Sequence, residues 1–143
     1  FIYEYGDGYL KHYGERTEYM FPLKDYLDQG IPAVIASDSL VTDVSPFRGI
    51  YTAMTRMTQT GQIVGGKQRI NLMDAIRMYT INAAYASFEE SIKGSLEVGK
   101  LADLIILDRS LLSAELDELP DIKVEQVMID GQIVYQREKE LSE

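Results

Sequence analysis

The chain of 143 residues contains no cysteine and a single histidine, His12. Disulfides and thiolate metal sites are therefore excluded. The same lack suits a reducing compartment, and the expected location is cytoplasmic. One imidazole also leaves Ser37, Ser39 and Ser45 without an evident Ser-His-Asp arrangement. Basic residues are scarce: 14 Lys plus Arg stand against 23 Asp plus Glu, a net charge of -9. Such a chain repels a phosphate backbone, and no basic run offsets that. Nucleic acid and anionic membrane are excluded as expected partners. No apolar run approaches the ~20 residues that span a bilayer. The first residues, FIYEYGDGYLKHYGERTEY, lack the basic start and apolar centre of a signal peptide. They also lack an initiator Met, and the expectation is that the sequence begins partway through a longer protein.

What is present suffices for a packed core: 45% of residues are hydrophobic and 26% charged, close to globular averages. The length fits one ordinary domain or two small pieces. Residues 1–19, rich in Tyr, Gly and charge, read as loop or short irregular helix. Pro22 suits a first helical turn, Leu23, Tyr26 and Leu27 share a face, and Gly30 is a stop. IPAVIAS, residues 31–37, then reads as a buried strand of parallel type. Residues 38–46 carry turn chemistry. Phe47, Ile50, Tyr51, Met54 and Met57 recur at helical spacing and read as core. Residues 58–70 hold three glycines and read as loop.

Asn71 is placed to cap a second helix, with Asp74 in its first turn. Leu72, Ala75, Ile76, Tyr79 and Ala83 form its inward face, and the Ala-rich run 79–90 extends it by a turn or two. Residues 102–108, 123–129 and 132–136 read as strands. The last two are joined by Asp130-Gly131, the strongest short-range hairpin signal. Between the first two lies an acidic loop, 109–120, and the charged tail 137–143 should fray. The grammar changes near Gly94, with helices before it and a small antiparallel β piece after it. A lone parallel strand at 31–37 cannot form a sheet, so its neighbours are expected outside this sequence. That exposed strand and the cut β piece also predict self-association of the chain.

The stretch KGSLEVGKLAD, residues 93–103, poses a question about phosphate, because from Gly94 it spells G-x-x-x-x-G-K. A P-loop needs a strand before the glycines, a helix after them and a hydroxyl after the Lys. Here the order is inverted and Leu101 holds the hydroxyl's place, so the glycines punctuate a turn instead.

The same stretch resembles a passage of the amidohydrolase superfamily, "G-x-(I/L)-x-x-G-K-x-A-D-(L/I/F)", where the chain leaves a catalytic barrel for a β-sandwich. Gly94, Leu96, Gly99, Lys100, Ala102, Asp103 and Leu104 all match. YTINAA (79–84) is similar to the family's "T-x-N-x-A" helix, and VMIDGQIVY to its closing "V-x-x-x-G-x-x-V" hairpin. IASDS resembles the end of the eighth barrel strand. PLKDYLDQGIPAVIASDS with PFRGIYTAMTR most resembles the amidohydrolase-3 branch. The likeness runs from about Tyr19 to Tyr135 and implies an α/β fold. Residues 1–94 would form the end of a (β/α)8 TIM barrel, and residues 95–143 the C-terminal half of a small β-sandwich. It further implies a C-terminal fragment of a metal-dependent hydrolase that cleaves amide-type C–N bonds of small molecules.

Asp38 stands directly after the apolar run. On residues alone it is either a turn initiator or a side chain presented at the C-terminal face of a barrel. The resemblance makes it a catalytic residue, as metal ligand and proton shuttle for a divalent metal, zinc being expected. A catalytic zinc site takes about three protein ligands, whereas this chain supplies Asp38 alone. His12 reads as a surface or packing residue, so the isolated chain is expected to be inactive and to bind no metal. Arg48 and Arg56 are open to an anionic substrate group, though a surface role is the expected one, and Glu89, Glu90 and the acidic residues 115–121 read as solvated surface. The rival reading is a non-catalytic α+β structural or interaction module.

Overall fold

The computed structural model describes residues 1–138. Its first element corrects the reading of residues 1–19, because Ile2–Tyr13 is a three-turn helix, α1. Phe1, Tyr5, Tyr9 and Tyr13 fall four apart, a spacing that puts them on one helical face. Phe1 and Tyr5 meet at 6.1 Å between ring centroids, and Tyr9 and Tyr13 at 6.3 Å. A 3-10 turn, Gly14–Tyr19, and the short helix α2, Leu23–Asp28, follow.

Helix α3, Pro46–Thr55, starts with Pro in its first turn and buries Phe47, Ile50 and Ala53. Helix α4, Leu72–Tyr79, is capped as expected: the Asn71 side chain accepts the Asp74 N–H at 2.9 Å. It buries Ala75 and Met78 completely. The helix does not run on. Thr80, at φ -121° and ψ -94°, breaks it, and a separate short helix, α5, Ile81–Ala86, follows. The core joins these helices to Leu119 and Ile122. Leu119 comes from residues 109–120, read as acidic loop, where Leu116–Asp121 is a 3-10 helix with reciprocal Glu115 and Glu118 caps, and Ile122 follows directly as its C-cap.

Three strands form one antiparallel sheet in the order β1-β2-β3: Leu104–Leu107, Val124–Ile129 and Gln132–Gln136. Asp130 at φ 48° and Gly131 at φ 75° make the expected two-residue turn. Side chains alternate across a sheet, yet the sequential Ile105 and Ile106 are both exposed. Neither face of β1 is therefore fully covered. β3 is exposed along its whole length.

Residues 31–37 are extended but join no sheet, which corrects the expected strand. The physical reason is the absence of a neighbouring strand among the described residues. Contacts to other segments hold it instead: the Ile31 N–H donates to the Tyr26 carbonyl at 2.8 Å, Asn82 Nδ2 donates to the Ala33 carbonyl at 2.9 Å, the Ile35 N–H donates to the Met78 carbonyl at 3.4 Å, and Ala33 and Ile35 pack against the core. Val34 stays 41% exposed. Arg137, assigned to a fraying tail, is held by Glu125 through its backbone N–H and its guanidinium. The rest of that tail, 139–143, lies outside the described residues. Among the described residues no helix is long and apolar enough to cross a membrane.

Candidate functional site

Asp38 ends the extended segment at φ 52° and is exposed. Asp tolerates this left-handed region better than most residues. Its carbonyl accepts the Val41 N–H at 2.7 Å, closing a tight turn. The Ser39 N–H donates to Ser37 Oγ at 3.2 Å, and the Thr42 hydroxyl donates to the Ser37 carbonyl. Ser37 is thereby spent on holding the turn.

The loop after Asp38 is fastened to α1, a connection that sequence reasoning missed. The Tyr5 hydroxyl donates to the Val41 carbonyl at 3.0 Å, and the Asp43 N–H donates to Glu4 Oε1 at 3.0 Å. Asp43 in turn accepts the Ser45 N–H at 2.9 Å and Arg48 Nε at 3.0 Å. The Ser45 N–H, and secondarily Arg48, hold the Asp43 carboxyl below the usual carboxylate range. The Arg48 guanidinium lies 4.6 Å from the Tyr3 ring centroid, a cation–π contact. The four-residue aromatic spacing of α1 was the one signal in the sequence that could have brought these residues forward.

A cleft of about 260 Å³ opens beside this loop. Phe1, Tyr3 and Phe21 line it with Val34, Ile35 and Tyr79, and Ser37, Thr42, Asp43 and Arg48 stand among its polar residues. Phe1 and Phe21 stack at 6.2 Å with 12° between their planes. Tyr79 lies against Gly49 so closely that a Cβ there would come within 1.9 Å of the tyrosine oxygen. Glycine is needed at that position. Burial pushes the Tyr79 phenol up, so it is a neutral donor at ordinary pH.

Arg56 departs from its expected surface role. It is 1% exposed, at the left-handed C-cap of α3. Its guanidinium donates to the carbonyls of Val64, Phe21 and Met20 at 2.9, 3.1 and 2.7 Å. Burial lowers it to about 10, so it stays a cation at neutral pH. Its role is to bind three chain segments together. One carboxylate oxygen of Glu90, read as solvated surface, is buried with no hydrogen-bond partner among the described residues.

Lys100 closes the phosphate question, since its amine is taken up by Ser95 Oγ at 2.6 Å and Glu97 Oε2 at 2.9 Å. His12 is exposed at the end of α1. Among the described residues no group of three or more His, Asp or Glu side chains is placed to hold a metal ion. The donors among the described residues do not by themselves fit a metal site.

A model of the amidohydrolase family matches residues 3–135. The N-substituted formamide deformylase of Arthrobacter pascens is 36% identical over 126 residues, covering 87% of this chain and 23% of that protein. The putative amidohydrolase YtcJ of Bacillus subtilis (strain 168) is 26% identical, over 86% of this chain and 24% of its own length. The probable imidazolonepropionase of Homo sapiens is 33% identical, over 66% and 21%. Among solved structures, an amidohydrolase from Thermotoga maritima MSB8 aligns with 94% of this chain and 36% of its own, at 19% identity and a TM-score of 0.45. The chain thus spans about a quarter of the length of the curated relatives it matches. The match of the family model across nearly all of the sequence carries the conclusion: the chain belongs to the amidohydrolase family.

Proposed function

We propose that the chain is part of a metal-dependent hydrolase that cleaves amide-type C–N bonds of small molecules, and that Asp38 is its contribution to the reacting centre. The observation that carries this reading is the family match over residues 3–135, within which Asp38 is exposed at the end of an apolar extended segment. A carboxylate so placed can take up and release a proton. The remaining ligands for a divalent metal, zinc on this reading, would come from residues outside this chain. The test is hydrolysis of neutral amides by the protein that carries this chain in its genomic frame, with Asp38→Asn beside it. We expect a loss of at least ~1000-fold in kcat in that variant, from removal of a general acid–base group and an anionic ligand together. Retention of kcat in Asp38→Asn would remove Asp38 from the chemistry.

On the same reading, residues 1–94 belong to the end of a (β/α)8 barrel and residues 95–143 to the C-terminal half of a β-sandwich. The exposure of Ile31 and Val34, and of β1 and β3 in the sheet, supports that division. It also supports self-association of the isolated chain. A cytoplasmic location agrees with the lack of cysteine, and the charge of -9 argues against nucleic acid and anionic membrane as partners.

A further inference from the structure

The turn that carries Asp38 runs into the loop 39–45, and packing does not fix that loop. Leu40, Val41 and Val44 are all exposed, Leu40 fully. A segment with so little buried apolar surface opens readily unless hydrogen bonds close it. Here they come from two helices. Val41 is the joint nearest Asp38: its N–H donates to the Asp38 carbonyl at 2.7 Å, and its own carbonyl accepts the Tyr5 hydroxyl at 3.0 Å. Helix α1 thus reaches the backbone of Asp38 through a single intervening residue.

Asp43 is the second joint. Its N–H donates to Glu4 Oε1 on α1, while its carboxylate accepts the Ser45 N–H and Arg48 Nε at the start of α3. The Arg48 guanidinium returns to α1, over the Tyr3 ring. Tyr3, Glu4 and Tyr5 are successive residues of the first turn of α1, and each reaches the loop or Arg48. None of these partners belongs to residues 31–37, whose covering is expected from outside this chain. The Asp43–Arg48 pair is half-exposed, and such pairs add little to stability. Their consequence here is geometric, because they fix the end of the loop against both helices.

We propose that Glu4 and Tyr5 of α1 are positioning residues for Asp38: they fasten the loop that closes its turn and so set where its carboxylate stands. The effect on rate rests on the reading of Asp38 as a reacting group, whereas the fastening is measured without turnover. A displacement of about 1 Å in a reacting group costs up to ~100-fold in rate. Contact with substrate is assigned to neither side chain.

The experiment uses the protein that carries this chain in its genomic frame and leaves the sequence of the loop intact. Glu4→Ala combined with Tyr5→Phe removes both ties from α1. Hydrogen–deuterium exchange of the peptide spanning 38–45 should quicken roughly threefold to tenfold, the worth of about one hydrogen bond. The peptide spanning α4 should exchange as in the wild type. For hydrolysis of a neutral amide, kcat should fall roughly tenfold to hundredfold while KM changes by less than about threefold. Tyr5→Phe alone, which removes one hydroxyl from an exposed residue, should give the same changes at smaller size. Glu4→Gln, which keeps an acceptor for the Asp43 N–H, should restore most of the rate lost in Glu4→Ala. Unchanged exchange of 38–45 in the double and single variants would overturn the proposal. So would a raised KM with kcat intact, which would put Glu4 or Tyr5 on the substrate instead. If kcat survives in Asp38→Asn while exchange quickens in the α1 variants, the catalytic reading of Asp38 falls and the fastening of its loop stands. If kcat is lost in Asp38→Asn and exchange does not respond, the fastening alone falls.

Discussion

Met78 on α4 and Val134 on β3 are both apolar, yet the first has no exposed surface and the second is 58% exposed. Met78 belongs to a cluster that the chain supplies itself: Phe47, Ile50 and Ala53 from α3, Ile70 before α4, Ala75 from α4, and Leu119 and Ile122 from beyond β1. Around Val134 it supplies far less: β2 pairs with β3 on either side of it, at Ile133 and Tyr135, and no β2 residue pairs with Val134 itself. Hydrogen bonding and burial are thus separable here. The hairpin forms because adjacent residues dictate its turn, whereas covering its faces needs a second layer.

The largest effect expected from this difference is a change in mass. Each apolar side chain left in water forgoes roughly 1.5–3 kcal/mol of burial, and open strand edges accept further strands. Sedimentation equilibrium at about 0.15 M salt, where charge repulsion is screened beyond ~8 Å, should give a mass above 16.2 kDa that rises with concentration. A constant 16.2 kDa would mean that the exposed sheet is tolerated in a monomer. It would also remove the physical support for covering layers outside this chain.

Point substitutions sharpen the contrast within one molecule. Met78→Ala should cost about 3 kcal/mol, within the range for emptying a buried methionine site. Ile133→Ala, at a residue 54% exposed, should cost under about 0.5 kcal/mol. Arg56→Met belongs with the first group despite its charge. It strands the carbonyls of Met20, Phe21 and Val64, and unmet buried acceptors cost ~1–3 kcal/mol each. A net loss of about 3 kcal/mol is expected after relief of the cation's desolvation. Urea unfolding measures all three. Similar losses for Met78→Ala and Ile133→Ala would erase the distinction between the two regions.

How much of this could be read in the sequence follows the same division. Asn71 and Asp130-Gly131 act on neighbours a few residues away, and the structure has the cap and the turn where they were expected. Residues 31–37 have the β-branched content of a strand, but a strand also requires a partner, and composition cannot supply one. Helix α1 was hidden by its glycines and charges, and its anchors lie far along the chain, at Val41, Asp43 and Thr58. Arg56 was misread because the three carbonyls that hold it carry no residue identity. Asp38 was brought forward only by the family resemblance. The cleft beside it was not, because its lining comes from separate segments that only folding assembles.

Asp7 supplies a smaller, pH-dependent way to loosen the helical side. Its Oδ1 accepts from Thr60, Thr58 and Gln62 at 2.7, 2.8 and 2.9 Å, tying α1 to the 58–62 turn. Thr60 first, then Thr58, holds the carboxyl below its ordinary value. The folded pKa is depressed, so this contribution is complete above the unfolded value and is lost as pH falls through the folded one. Thermal melts from about pH 6 down to about pH 2 should therefore show a shallower acid decline in Asp7→Asn than in the wild type. Parallel curves would show that the three hydrogen bonds do not distinguish the charged carboxylate.

The smallest expected effect is that of zinc on the isolated chain. A site with a dissociation constant of 1 μM would, at about 100 μM metal, stabilise the fold by ~2.7 kcal/mol. In a domain of this size that raises the melting temperature by roughly 5–15 °C. Such a site takes about three donors held together. The described residues offer Asp38 at an exposed turn and no group of three His, Asp or Glu. Divalent metals bound by one exposed carboxylate compete poorly with water, so a shift below about 1 °C is expected at that concentration. A shift of several degrees that disappears in Asp38→Ala would place a complete site within these residues, and the ligands that the proposed function places outside this chain would have to be sought here.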